Sequence, residues 1–326
     1  MKPIKIIGTG VHLPPRVVTN AELSERMDTS DEWIRERTGI HERRIAADDQ
    51  ATSDLCAQAV RAACEDAGIE VDSIDGLIVA TSTTDTLFPS TACWVQRSLG
   101  IQGMAAFDIS AGCTGFVYAL EIASSLVVAG TARRVAVVGG ELMSKVVNWE
   151  DRRTCVLFGD GAGAAIVEAG QGDSGVLGSD WGANGDLAPI LYQPAGGTQM
   201  PASNETVAQA LHTVHMEGNK VFKHAVLAMS ESAQAAMKAG GVSVDEVDVL
   251  IPHQANMRIM EAARERIGIP IEKLHSIVHK YGNMSAATVP VAMHEAREAG
   301  RIQDGSIVLT TAFGTGLTWG AAVLRW

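Results

Sequence analysis

Two segments of the chain, 173 residues apart, nearly coincide: Val71-Asp-Ser-Ile-Asp-Gly-Leu-Ile78 and Val244-Asp-Glu-Val-Asp-Val-Leu-Ile251. Each follows an Ala-rich amphipathic stretch closed by glycine, residues 53–68 in the first case and 220–240 in the second. Farther on, Arg134-Val-Ala-Val-Val138 is echoed at an offset of 172 by Ser306-Ile-Val-Leu-Thr310. The Gly-rich run 159–167 is echoed, after a gap, by 314–324. Four matches in one order argue for two copies of a single unit, which we take as residues 1–172 and 173–326. Each copy reads helix, buried apolar strand, strand, helix, strand, so the expected class is α/β, with two mixed β-sheets and helices between and outside them. Strands are expected at 1–10, 104–109, 248–251 and 276–280, and the Gly-, Asp- and Pro-rich stretch 170–200 reads as an irregular join.

With 326 residues, 46% of them hydrophobic and 20% charged, the chain can bury a large core and is not disordered. No apolar run reaches the roughly 20 residues of a membrane span. Lys2, Pro3 and Lys5 interrupt the first segment, which reads as a strand and not as a signal peptide, so a cytoplasmic protein without membrane insertion is expected. A net charge of −12 argues against broad nucleic-acid binding, which needs a basic face. The five cysteines form no CxxC pair, which speaks against a disulfide framework or a thiolate metal site. The pairs His212/His215 and His275/His279 lack a third ligand, so no metal is expected. Gly8-Thr-Gly10 lacks the third glycine and following helix of a dinucleotide site, and there is no P-loop.

The strongest local feature is Met104-Ala-Ala-Phe-Asp-Ile-Ser-Ala-Gly-Cys-Thr-Gly-Phe116, a strand that enters a turn of small residues. Phe116, Ala119, Leu120, Ala123 and Leu126 then recur at helical spacing until Gly130. Cys113 falls at the helix N-terminus between Gly112 and Gly115, where free N–H groups and the helix dipole favour a thiolate. Cys56, Cys64, Cys93 and Cys155 sit among apolar residues and read as packing. A thiolate nucleophile needs partners that move protons or hold negative charge. His253, in Pro-His-Gln-Ala-Asn, lies at the tip of the 248–251 strand, and Asn283 at the tip of the next expected strand. The repeat offset places Asn283 opposite Ser110, so two pseudo-symmetric halves would bring the Cys113 and Asn283 tips together.

Those contexts, with Gly-Asn283-Met-Ser-Ala-Ala-Thr and the closing Phe313-Gly-Thr-Gly-Leu-Thr-Trp-Gly320, resemble the β-ketoacyl-ACP synthase III family of thiolase-superfamily condensing enzymes over essentially the whole chain. The resemblance implies a duplicated, five-layer αβαβα thiolase-like fold, a homodimer, and a decarboxylative Claisen condensation of an acyl-CoA primer with malonyl-ACP that initiates type II fatty-acid synthesis. Cys113 would take the acyl group, and the N–H groups of Cys113 and of the turn around Thr315 would hold the oxyanion. His253 and Asn283 would donate hydrogen bonds to the malonyl thioester oxygen. Trp33 and Arg152 would sandwich the CoA adenine, with Thr29 and Arg37 nearby. Gly218, Asn219, Phe222, Ala255 and Asn256 would line the pantetheine tunnel, and Phe88 would reach the partner's acyl pocket. No cofactor beyond these substrates is implied. Thr315 and Tyr281 depart from the residues of many relatives, which bears on acetyl preference.

Acyl carrier protein is acidic, and Lys220, Lys223, Arg258, Arg264 and Arg266 flank the expected tunnel as a docking patch. Glu261 and Glu265 interleave with them, so a salt-bridged helix face is the competing reading. The alternatives for function are a sister condensing enzyme of specialised metabolism or long-chain acyl condensation, a cysteine thioesterase that uses Cys113, His253 and Asn283, and a non-catalytic acyl-CoA binder.

Overall fold

The computed structural model describes residues 2–170 and 172–326, so Met1 of the first expected strand and Gln171 of the expected join lie outside the described residues. Strand β1 (Ile4–His12) comes first. A hairpin of β2 (Arg16–Thr19) and β3 (Glu42–Ile45) follows, carrying helices α1 (Asn20–Ser24) and α2 (Asp31–Thr38) in its loop. Helix α3 (Thr52–Ala67), strand β4 (Gly76–Ala80), α4 (Thr91–Leu99), β5 (Ala105–Ile109), α5 (Gly115–Val128), β6 (Arg134–Leu142) and β7 (Asp160–Ala169) complete the first half. Its sheet runs β1-β7-β6-β4-β5, with β5 and β6 parallel to β4 and with β7 antiparallel to both neighbours.

The second half begins with β8 (Gly175–Ala183) and the short pair β9 (Leu191–Tyr192) and β10 (His215–Met216) around α6 (Asn204–Ala208). Then come α7 (Gly218–Gly240), β11 (Val249–Pro252), α8 (Met257–Ile267), α9 (Val278–Tyr281), α10 (Thr288–Glu298), β12 (Ile307–Gly314) and β13 (Thr318–Arg325). The sheet β11-β12-β13-β8 repeats the first with the same senses: parallel for β11 and β12, antiparallel for the rest. Thus β4, β6, β7 and β1 correspond to β11, β12, β13 and β8, and α5 corresponds to α10.

The sheets alternate with helices because their strands are apolar on both faces. In β4, Leu77 and Val79 pack outward with Leu55, Ala59 and Val60 of α3. Ile78, between them, points the other way, into a central core with Phe116, Leu120 and Ala123 of α5 and with Val289 and Met293 of α10. Ile251 and Val308 of the second sheet close that core, and Leu250, Leu309 and Val323 pack outward with Ala233 and Met237 of α7. The result is five layers, α-β-α-β-α, with α5 and α10 in the middle.

Two local expectations are corrected. Residues 276–280 are not a strand: Leu250 and Leu274 make a single parallel bridge, and Val278–Tyr281 is helical. The Gln254 side chain accepts the Ile277 N–H at 2.9 Å, and Pro252 has no N–H to extend the pairing. The expected join at 170–200 is not all irregular either, because β8 lies within it and pairs with β13. Paired among the strands only to β13, it forms an edge of the second sheet.

Candidate active site

Strand β5 delivers the chain to a single tight turn, Gly112–Thr114, which leads directly into α5. Gly112 has φ +53°, and a Cβ there would lie 2.6 Å from Thr315 N. Across from it, a Cβ on Gly314 would lie 2.5 Å from Cys113 N. Two glycines thus let the loop after β12 press backbone to backbone on the start of α5, which puts the N–H groups of Cys113 and Thr315 in one corner.

The expectation of a resting thiolate is corrected. Burial pushes the Cys113 thiol up to about 12, the Ser285 hydroxyl eases it back, and the Glu141 carboxylate adds to the rise. Here the sulfur is enclosed between the two halves, and the lost hydration outweighs the helix N-terminus. Cys113 rests as a thiol that must lose its proton as it attacks.

His253 leaves the end of β11 and is only 2% exposed. Its backbone N–H donates to Thr311 O at 2.8 Å, and its Nδ1 lies 2.7 Å from Thr288 Oγ1. The Thr288 hydroxyl in turn donates to Ser285 O at 2.9 Å. With that hydroxyl proton so placed, Nδ1 carries the imidazole proton and Nε2 is an acceptor. If the hydroxyl turns to donate to Nδ1, the ring proton sits on Nε2 and His253 becomes a donor. Burial lowers the His253 pKa to about 3, so the ring is neutral in either arrangement.

Asn283 is fixed at both ends. Its backbone N–H donates to Leu157 O at 2.8 Å, and its Oδ1 accepts from Ser285 N at 2.8 Å. The amide nitrogen is left as the group that can donate to a ligand.

Sequence reasoning missed three residues here. Ser285 has φ +45° and ties three residues of the site together: its N–H binds Asn283, its carbonyl binds Thr288, and its hydroxyl donates to Glu141 at 2.9 Å. Thr288 and Glu141 are the others. The motif around Asn283 contains Ser285 and Thr288, but only the folded chain shows what they bind.

Cys113, His253, Asn283, Ser285, Phe313 and Thr315 line one cavity of about 1140 Å³, which reaches half-buried Trp33 and exposed Arg37 at the surface. Gly218, Asn219, Phe222 and Ala255 lie along it, as does Asn256, whose Oδ1 caps α8 through Ile259 N at 3.0 Å. Arg152 stands outside the lining, but its guanidinium lies 5.3 Å from the Trp33 ring centroid and donates to the Asp28 carbonyl. A flat base entering between Trp33 and Arg152 would have to move the arginine. Thr29, half-buried, does not line the cavity, and its hydroxyl is without a partner. Phe88 is 85% exposed on a loop beside Leu87, at 81%, away from the cavity.

Of the expected patch, Lys220 and Arg258 line the cavity mouth, and Arg258 lies 5.7 Å from the Phe222 ring. Lys223 is exposed, and Arg266 reaches Glu231 at 3.8 Å. Arg264 is corrected: its side chain is 14% exposed, and Nη1 donates to Ile269 O at 2.6 Å, so it closes the end of α8 and offers little to a partner. Among the described residues, no group of three or more His, Cys, Asp or Glu could hold a metal ion. No helix of the described chain is long and apolar enough to cross a membrane.

Residues 107–185 match the family described as 3-oxoacyl-[acyl-carrier-protein (ACP)] synthase III, and residues 237–326 match its C-terminal family. A β-ketoacyl-[acyl-carrier-protein] synthase III of Caldanaerobacter subterraneus is 52% identical over 321 residues, 98% of this chain and 97% of that one. The crystal structure of a 3-oxoacyl-[acyl-carrier-protein] synthase III from Aquifex aeolicus superposes with a TM-score of 0.92 at 46% identity, covering 99% of this chain and 100% of the other. The Thermus thermophilus counterpart does so at 0.91 and 44%, covering 98% of each.

Proposed function

The chain belongs to the β-ketoacyl-[acyl-carrier-protein] synthase III family, and from that membership we propose how its residues divide the reaction between them. It is an acyltransferase of the condensing type, with the thiolase-like fold, that joins an acyl-CoA primer to malonyl-ACP and so initiates fatty-acid synthesis. The observation that supports the residue roles is the single cavity in which Cys113, His253 and Asn283 meet beneath a lining that leads out to Trp33.

In the proposed first stage the Cys113 sulfur attacks the acyl-CoA thioester, the N–H groups of Cys113 and Thr315 receive the oxyanion, and CoA leaves. In the second, malonyl-ACP loses CO₂ while Asn283 Nδ2 and His253 Nε2, with its ring proton moved there by Thr288, donate to the thioester oxygen. The carbanion then attacks the acyl-Cys113 carbonyl and releases β-ketoacyl-ACP. Residues 1–172 would thus contribute the nucleophile and 173–326 the decarboxylating pair. CoA would pass along Gly218, Asn219, Phe222, Ala255 and Asn256, with its adenine at Trp33, Arg37, Arg152 and Thr29. The primer is acetyl or similarly short, and the chemistry calls on no metal or prosthetic group.

The acidic carrier would dock at Lys223, Arg258 and Arg266. A homodimer fits the unpaired edge strand β5, where Phe107 is partly exposed, and the bare Phe88 loop. A cytoplasmic location accords with these substrates. The test is the mass of the intact protein after incubation with a panel of acyl-CoAs and then with malonyl-ACP. The expected result is one acyl group on Cys113, discharged as β-ketoacyl-ACP. An acyl group that never forms, or that leaves only to water, would replace this reading with the binding or thioesterase one.

A further inference from the structure

Glu141, at the end of β6, is fully buried and ringed by donors. Thr83 Oγ1 donates at 2.7 Å, Ser285 Oγ at 2.9 Å, Thr83 N at 3.0 Å, Ser82 N at 3.1 Å and Thr81 Oγ1 at 3.2 Å. A carboxylate accepts only, so this ring fits the ionised form, and burial at the same time strengthens its hold on a proton. Ser285 spends its one hydroxyl proton on Glu141 and keeps a lone pair. The Ser285–Ala287 turn packs against the Gly112–Thr114 turn, and Cys113 and Ser285 both line the cavity. Ser285 is held at φ +45°, a strained setting for a residue with a Cβ, by bonds from its N–H, carbonyl and hydroxyl. His253, by contrast, is tied to Thr288.

We propose that Glu141, through the Ser285 hydroxyl, receives the Cys113 thiol proton as Cys113 attacks the acyl thioester, which leaves His253 to the decarboxylation stage. This rests on the condensing reaction above. The S–H proton passes to Ser285 Oγ while the Ser285 proton passes to a Glu141 oxygen. The new C–S bond forms, the C–S bond to CoA breaks, and the departing CoA thiolate takes the proton back by the same path. Acyl-CoA and thiol become acyl-Cys113 and free CoA, with no proton gained or lost. Ser285 lines the same cavity as the reacting sulfur, and Glu141 acts only through Ser285.

The test separates the half-reactions in Glu141→Gln, Ser285→Ala and His253→Ala. Acylation is timed by quenched mass measurement with acetyl-CoA, and discharge is timed on desalted acyl-enzyme with malonyl-ACP. Loss of general-base catalysis predicts that Glu141→Gln and Ser285→Ala acylate about 10²-fold more slowly, a loss at least about tenfold larger than their loss in discharge. His253→Ala should show the reverse. Raising the pH from about 7 to about 9 should narrow the acylation deficit of Ser285→Ala, because a thiolate needs no acceptor. The other titratable groups facing this pair, Cys56 of α3 and neutral His253, do not ionise in that range, since burial pushes the first well up and the second down to about 3. Should Glu141→Gln fail to fold, Ser285→Ala decides. Acylation of Ser285→Ala within about threefold of the parent, or equal slowing of both half-reactions, would overturn the relay. A parent protein that neither acylates nor discharges would instead overturn the functional reading.

Discussion

Replacing Thr288 with valine keeps the shape of the side chain and deletes one hydroxyl, so it isolates what that hydroxyl does for His253. In the parent, Nδ1 has Thr288 Oγ1 at 2.7 Å and lies in a 2%-exposed setting. Valine leaves a buried Nδ1 without a partner and strips Ser285 O of the donor at 2.9 Å. An unsatisfied buried polar group costs about 1–3 kcal/mol. If the ring instead turns to find another partner, Nε2 loses its aim at the thioester oxygen by an amount of similar size. At about 1.4 kcal/mol per tenfold, discharge of acyl-Cys113 by malonyl-ACP should fall between about fivefold and about 100-fold. Acylation, which the proposed relay assigns to Ser285 and Glu141, should fall by less than about threefold. Thr288→Ser keeps the hydroxyl and should restore most of the discharge rate. The assay is the two-stage mass measurement, with a urea melt to confirm folding. Equal losses in both stages, or a failure of serine to rescue, would show that Thr288 merely packs the turn.

Gly112→Ala combines a positive φ with a Cβ 2.6 Å from Thr315 N, so it should push the oxyanion corner apart. Acylation should drop at least about tenfold and stability by more than about 1 kcal/mol, and a variant with parent values would mean the two loops are not held together as described. Stability should fall as pH drops below about 6.5, because burial lowers His253 to about 3 and His275 to about 4 while both take protons readily once unfolded. The linkage is about 2 kcal/mol between about pH 7 and 5.5, opposed only where carboxylates raised by burial, such as Asp160, begin to protonate. Urea midpoints should show this, with a shallower fall in His275→Gln, and a flat profile would contradict the buried neutral histidines. Arg258→Glu should raise the Michaelis constant for malonyl-ACP several-fold and more at low salt, whereas Arg264→Gln should cost stability with little change in that constant, as its bond to Ile269 O implies.

Much of this protein can be read along the chain. The repeat at 173 residues announces two matching halves, because apolar periodicity and the glycines that end helices are local properties of sequence. The small residues around Cys113 mark a strand-to-helix turn, and Pro252 marks where β11 stops, for the same local reasons. Other features depended on residues far apart in sequence. Residues 276–280 lost their strand to the side chain of Gln254, a competitor that no propensity within that segment reveals. The proton on Cys113 was decided by enclosure between the two halves, and the partner of Ser285 is Glu141, 144 positions away. Hydrogen-bond partners and hydration are set by what the fold brings near. The chain therefore determined which groups stand at the strand tips, while tertiary structure alone decided which partners surround them and how far they are removed from water.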